Sequence, residues 1–166
     1  MRYADGPPVR VDILIDAPLE RVWELASDIG LPARFSSELQ EAHWLDVDRQ
    51  ATPGARFVGR NRHPAAGEWE TTCVVTVAEP GHAFGWAVGN PDHPSASWGF
   101  ELEREGSGVR LYQWARLGPA PSGLTPAIAA MPEKEERIVA RRLEEHRANM
   151  QVTVEGIKAL AEGSSP

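Results

Sequence analysis

The groups in this 166-residue chain best suited to proton chemistry near neutral pH are five histidines, His43, His63, His82, His93 and His146. None is spaced i, i+4 from another, and Cys73 is the single cysteine, so no metal site, cysteine cluster or intramolecular disulfide is expected, and no cofactor. Two histidines fall on faces expected to turn inward and are the candidate acid–base residues. His146 interrupts a helical apolar stripe between Leu143 and Met150, and His63 closes a strand-like run beside Pro64. Each also has a plainer reading, a hydrogen-bonded core imidazole for His146 and a solvated turn residue for His63. Glu101 and Glu103 form a carboxylate pair on paper, but their alternation with Trp98, Phe100 and Leu102 assigns them to a solvated face. Nothing beside Cys73 would depress its pKa, so packing is its expected role.

Several chemistries are excluded by pattern. No phosphate-cradling G-x-x-x-x-G-K-[ST], nucleophile-bearing G-x-S-x-G or zinc-binding H-E-x-x-H occurs. Glu105-Gly-Ser-Gly108 precedes a strand-like run and reads as a hairpin turn, not a dinucleotide fingerprint. A formal charge of −7 argues against a general nucleic-acid binder, which needs a basic face. Arg137, Arg141, Arg142 and Arg147 are interleaved with glutamates and read as an exposed, ion-paired helix face. No apolar run approaches the roughly 20 residues of a membrane span. The start, MRYADGPP, lacks a signal peptide's apolar core, so a cytoplasmic location is expected.

The elements that must position these groups follow from periodicity. Hydrophobic residues are 42% and charged residues 25%, which suits a folded domain, and 15 glycines and 14 prolines suit many tight turns. The length fits a single domain, residues 1–166, with a core at about 8–162. Val9, Val11, Ile13 and Ile15 alternate as a strand. Asp16 as cap, Pro18 and Glu20 then begin a helix carrying Val22, Trp23, Leu25 and Ala26, followed by a short turn over Leu31 to Phe35. Six strands follow: 43–47, 56–63, 69–77, 83–88, 96–103 and 109–117. Prolines make 118–132 a loop. From Glu133, Val139, Leu143, His146, Met150, Val154, Ile157 and Ala161 form one face of a helix of about 30 residues, about 45 Å long. Gly156 within it costs about 1 kcal/mol relative to Ala, explicable by a close approach or by its nearness to the helix end. Gly163–Pro166 reads as a frayed tail.

Strand, helices, meander and long terminal helix is an α+β order. A strongly curved antiparallel sheet of about seven strands, crossed on its concave side by the last helix, leaves space between the two. At this point the sequence resembles the START-related helix-grip superfamily, also called SRPBCC or polyketide cyclase/dehydrase-like. The likeness is carried by Ile15-Asp-Ala-Pro-Leu-Glu-Arg-Val-Trp-Glu-Leu25, by Ser27-Asp28, Pro53-Gly54, Phe57, Gly59, Trp69, Pro80-Gly81 and Trp98, and by Gly156 to Glu162. It implies the helix-grip fold, ordered β-α-α-β6-α, but selects no activity, because the superfamily spans carriers, receptors and cyclases.

Strand parity then sorts the residues facing the gap. Phe57, Asn61, Trp69, Thr71, Trp86, Trp98, Phe100 and Gln113 point inward, met by Leu143 and Met150 from the helix, and these ten are the candidate ligand contacts. Aromatic walls with a few polar groups suit a small hydrophobic or aromatic ligand, with 118–132 as the expected gate. The alternative is a cofactor-independent cyclase, aromatase or dehydratase acting on a poly-β-ketone in the same cavity, with His63 and His146 as its acid–base residues. The resemblance leaves open whether the chain is an enzyme.

Overall fold

The alternation at the start of the chain makes β1, Pro8–Ile15, which buries Val9, Val11 and Ile15 and exposes Arg10 and Asp12. The computed structural model describes residues 1–163; Ser164 to Pro166 of the expected tail lie outside them. Helix α1, Leu19–Ala26, follows, buried through Val22, Leu25 and Ala26. Its cap position is Pro18, without a side-chain cap. Asp16, the expected cap, sits two residues too early, and its backbone N–H instead donates to Glu162 at 2.8 Å. A 3-10 turn at Leu31–Arg34 leads into β2, Leu39–Trp44.

Five further strands complete the sheet: β3 Arg56–His63, β4 Gly67–Glu79, β5 Ala83–Val88, β6 Ala96–Glu105 and β7 Gly108–Leu117. All pairings are antiparallel, in the order β1-β7-β6-β5-β4-β3-β2. The sheet is not closed, and β1 and β2 are its two ends. Two irregularities bend it, between Leu39 and Glu41 in β2 and between Val75 and Val77 in β4, where an unpaired residue raises the local twist.

The first irregularity also explains where the sequence misleads. β2 starts four residues before the expected 43–47, because the bulge breaks the alternation that would reveal it. Beyond Trp44 the chain leaves the sheet: Asp46 accepts from the Arg56 backbone N–H at 2.9 Å, and Val47 begins a 3-10 turn. Within 118–132 a short helix, α2 at Thr125–Ala130, forms despite its prolines. Pro126 occupies the first turn, where a missing N–H costs nothing.

Helix α3, Glu135–Ala161, has 27 residues and is about 40 Å long. Its buried line includes Val139, His146, Met150, Val154 and Ile157. Met150, Val154 and Ile157 are each no more than 1% exposed, and burial of each contributes about 2 kcal/mol. They join Ile15, Val22, Phe100, Val109 and Leu111 in the main core. Opposite Gly156 lies the Phe35 ring, 2.5 Å from where a Cβ would stand. Close approach, not nearness to the helix end, is therefore the reason for that glycine. At its flank α3 reaches the outer side of β1: Arg147 donates to the Arg10 carbonyl at 3.2 Å, and Lys158 to the Leu14 carbonyl at 2.9 Å.

Candidate functional site

The main core fills the space under α1, and a second cluster around Phe57, Cys73, Val75 and Phe84 fills the side of β3 to β5. Between them the concave face and the middle of α3 meet only in part, through such contacts as His146 on Trp98. The gap is a cavity of about 130 Å³. The void persists here because the sheet bends away from a straight helix.

Each wall traces to one element. β3 supplies Phe57, Gly59 and Asn61, alternating as a strand must, and β4 supplies Thr71 and Cys73. Trp86 and Val88 come from β5, Trp98 from β6 and Gln113 from β7. His146, Asn149, Met150 and Thr153 are spaced by three and four along α3 and so share a face. Ile29, Pro32, Ser36 and Glu38, with Leu39 and Ala42 of β2, close the remaining side. The aromatic wall is continuous: Trp86 lies 5.8 Å from Phe57 between ring centroids, 5.7 Å from Phe84 and 6.3 Å from Phe100.

Of the twelve residues selected from the sequence, eight line this cavity: Phe57, Asn61, Thr71, Trp86, Trp98, Gln113, His146 and Met150. The other four lie off it. Trp69 pairs with Asn61 but stands half-buried toward the hairpin end of β4. Phe100 is 1% exposed in the main core, packed against Trp86. Leu143, nearly a turn before His146, packs with Val139, Leu117 and Tyr3. His63 is one step too far along β3. Its Nδ1 accepts from the Ala65 N–H at 3.0 Å, so its Nε2 carries the proton donated to Glu145, 2.5 Å away.

Sequence reasoning does not reach Glu38, Asn149 or Thr153. The two α3 residues carry a readable signal, since they fall at i+3 and i+7 from His146, but their polarity hides them in an apolar stripe. Glu38 carries none. Its carboxylate makes a bidentate ion pair with Arg142, and both side chains are largely buried. Arg142, expected on the exposed face, thus turns inward to anchor the cavity wall. Ser37 strengthens the same attachment, its N–H and hydroxyl both donating to Asn149 Oδ1 at 3.0 Å. The expected gate is also displaced. No residue of 118–132 lines the cavity, because Leu124 and Ile128 of that segment pack on Val139 and Leu117 instead. The segment that does border it, 29–42, is tied to α3 by the Glu38–Arg142 pair, the Ser37–Asn149 bonds and the Phe35–Gly156 contact.

Two polar atoms on the wall have no hydrogen-bond partner, Gln113 Oε1 and His146 Nδ1. Both residues are 4% exposed. An unmet polar group of this kind costs about 1–3 kcal/mol. The His146 ring lies 4.7 Å from the Trp98 ring centre, and burial, with the nearby Arg142 charge, pushes its pKa down to about 3. It is a neutral imidazole at pH 7. Burial raises the Cys73 thiol to about 11, so it stays protonated and unreactive. Among the described residues no group of three or more His, Cys, Asp or Glu is placed to hold a metal ion. No helix among them is long and apolar enough to cross a membrane.

Comparison with known proteins matches residues 7–151 to the family model described as polyketide cyclase / dehydrase and lipid transport. Comparison with curated proteins finds no match. Among solved structures, the chain is similar to a polyketide-cyclase-like protein of Corynebacterium glutamicum, with 28% identity, 93% of this chain and 91% of that one covered, and a TM-score of 0.66. It is similar in fold to the di-domain ARO/CYC StfQ of the steffimycin biosynthetic pathway, at 13% identity and a TM-score of 0.69, covering 94% of this chain and 50% of that one. A Thermus thermophilus protein is 19% identical over 96% of this chain and all (100%) of that one, with a TM-score of 0.60.

Proposed function

Because the chain belongs to the polyketide cyclase/dehydrase and lipid transport family, we propose that it binds a small hydrophobic or aromatic molecule between the sheet and the terminal helix. The observation that carries this reading is an aromatic-walled cavity of about 130 Å³ between the sheet and α3, with Asn61, Thr71, Gln113 and His146 as polar residues among its lining. Apolar walls hold a ligand by excluding water, and a few polar groups orient it. A cytoplasmic setting is part of the same proposal.

The catalytic alternative is cyclisation or dehydration of a poly-β-ketone in the same space. An efficient acid–base group titrates near the working pH. His146, at about 3, is far from it, and His63 stands off the cavity, committed to Glu145. Binding therefore comes first.

The test uses the tryptophans already in the wall. Titration with a panel of apolar fluorophores and small aromatics should change the emission of Trp86 and Trp98, and Ala42→Phe, which fills the cavity from β2, should weaken binding at least tenfold. A panel with no binder, or an unaffected Ala42→Phe variant that is folded by circular dichroism, overturns the reading. Turnover of a poly-β-ketone, abolished by His146→Ala, would promote the alternative above it.

A further inference from the structure

A glycine inside a strand weakens it, having no side chain to pack, and so calls for a reason: a positive φ, a crowding neighbour, a bulge or the close approach of a ligand. Most glycines in this sheet have such a reason within the protein. Gly67 has a φ of +74°, and at Gly85, Gly99 and Gly108 a Cβ would meet the Trp98 carbonyl oxygen at 3.3 Å, the Trp114 indole at 2.7 Å and the Ile15 carbonyl oxygen at 2.5 Å. Gly59, in the middle of β3, differs. Its φ is not positive, and a Cβ there would make only ordinary contacts, 3.4 Å to Leu39 Cδ1 and 3.5 Å to Thr71 Oγ1. The neighbouring bulge lies further along, opposite Arg60 and Asn61, and its extra residue belongs to β2. Of the four reasons, ligand approach is the one left, and Gly59 is part of the cavity wall.

Two polar side chains flank this bare spot. Thr71 is the cross-strand partner of Gly59, and Asn61 stands two residues along β3 on the same face. From the place where a Gly59 Cβ would stand, Thr71 Oγ1 is 3.5 Å away and Asn61 Nδ2 is 3.9 Å away. Both groups therefore bear on an atom seated over the glycine. Both residues line the cavity and are part-exposed, so a ligand can reach them. The Thr71 hydroxyl has the Cys73 sulfur at 3.9 Å, a weak contact that a ligand oxygen would outbid. An amide N–H and a hydroxyl both donate, and one carbonyl oxygen, with two lone pairs, accepts from both. Charge is not provided for: among the described residues lining the cavity there is no Lys or Arg, and its one carboxylate, Glu38, is held by Arg142. A carboxylate ligand would find no free cation, whereas a neutral carbonyl needs none.

Resting on the binding reading above, we infer that Gly59, Asn61 and Thr71 form a subsite for the carbonyl oxygen of an uncharged ketone, which seats over Gly59 and accepts from the Asn61 amide and the Thr71 hydroxyl. The apolar body of the ligand then lies along the wall of Phe57 and Trp86. A hydrocarbon of the same shape offers these donors nothing, and an alcohol accepts from both only by turning its own hydrogen toward an apolar wall. The orientation of Asn61 is part of the inference: with the amide reversed, its oxygen would face the site and favour an alcohol.

Calorimetric titration of the intact protein at pH 7 with acetophenone, 1-phenylethanol and ethylbenzene, which share one carbon skeleton, tests this. Expected is acetophenone binding about tenfold more tightly than ethylbenzene, as two neutral hydrogen bonds would give, with 1-phenylethanol between them. Thr71→Val and Asn61→Leu should each bring acetophenone down toward ethylbenzene without weakening ethylbenzene itself. Gly59→Ala, whose methyl makes no clash within the protein, should do the same by filling the seat. Equal affinities for acetophenone and ethylbenzene, or variants that weaken the two alike, would overturn the carbonyl subsite; the first comparison needs no variant and stands even if one fails to fold. Tighter binding of 1-phenylethanol than of acetophenone would overturn it too, since Asn61 would then present its oxygen. Binding of the apolar fluorophores but of none of these three would overturn the subsite and leave hydrophobic binding intact, whereas no binding by any of them would remove both.

Discussion

His146 makes acid sensitivity a property of one side chain. In the unfolded chain it takes up a proton near pH 6.5, in the folded one only at about 3. Between those values the unfolded state binds more protons, so stability is fully present above about pH 6.5 and is lost as pH falls toward 3, at up to about 1 kcal/mol per pH unit. His146→Phe removes this titration and one unmet polar atom. Urea unfolding should therefore show a flatter stability profile for the variant between pH 6.5 and 5; identical slopes would contradict the burial argument. Single residues are unevenly legible in the sequence. The inward parity of Phe57, Asn61, Thr71 and Gln113 follows from strand alternation. By contrast, the inward turn of Arg142 depends on Glu38, 104 positions away in the chain, and no local pattern reports such a partner.

Among the elements, α3 and the 29–42 segment form a unit through the Phe35 ring on Gly156. Gly156→Ala gains about 1 kcal/mol of helix propensity, but its methyl would enter a ring 2.5 Å away, an overpacking that costs about 1–3 kcal/mol. The expected net result is a loss of up to about 2 kcal/mol in denaturant unfolding. That loss should shrink in a Phe35→Leu background, and an unchanged cost there would show that the ring is not the obstacle. At this scale strong periodicity is readable and weak periodicity is not. The uninterrupted alternation of β7 and the apolar stripe of α3 announce themselves within a few residues. β2 lies four positions from its expected start because its bulge destroys the period of two, and α2 escapes notice because Pro126 ends a helix everywhere except in its first turn.

At the scale of the whole molecule, a ligand in the cavity adds to the stability of the folded chain alone. At about 100 times its dissociation constant it contributes about 2.7 kcal/mol, which for a protein of this size raises Tm by about 5–10 °C. Scanning calorimetry with a saturating concentration of the tightest binder from the aromatic panel should show that rise, and the Ala42→Phe variant should lose it. The architecture is legible because the order of elements constrains a curved sheet and a long helix strongly. The cavity's extent is not, because it depends on how far two surfaces stand apart. The two uncovered flanks of the sheet carry one more consequence. A strand with free backbone groups invites a second copy of the molecule to add its own strand alongside. On β1 the carbonyls of Arg10 and Leu14 are occupied by Arg147 and Lys158, whereas β2 is short, bulged and studded with Glu41 and His43. The helix that walls the cavity thus also occupies two backbone acceptors on the β1 edge, where the strand of a second copy would otherwise pair.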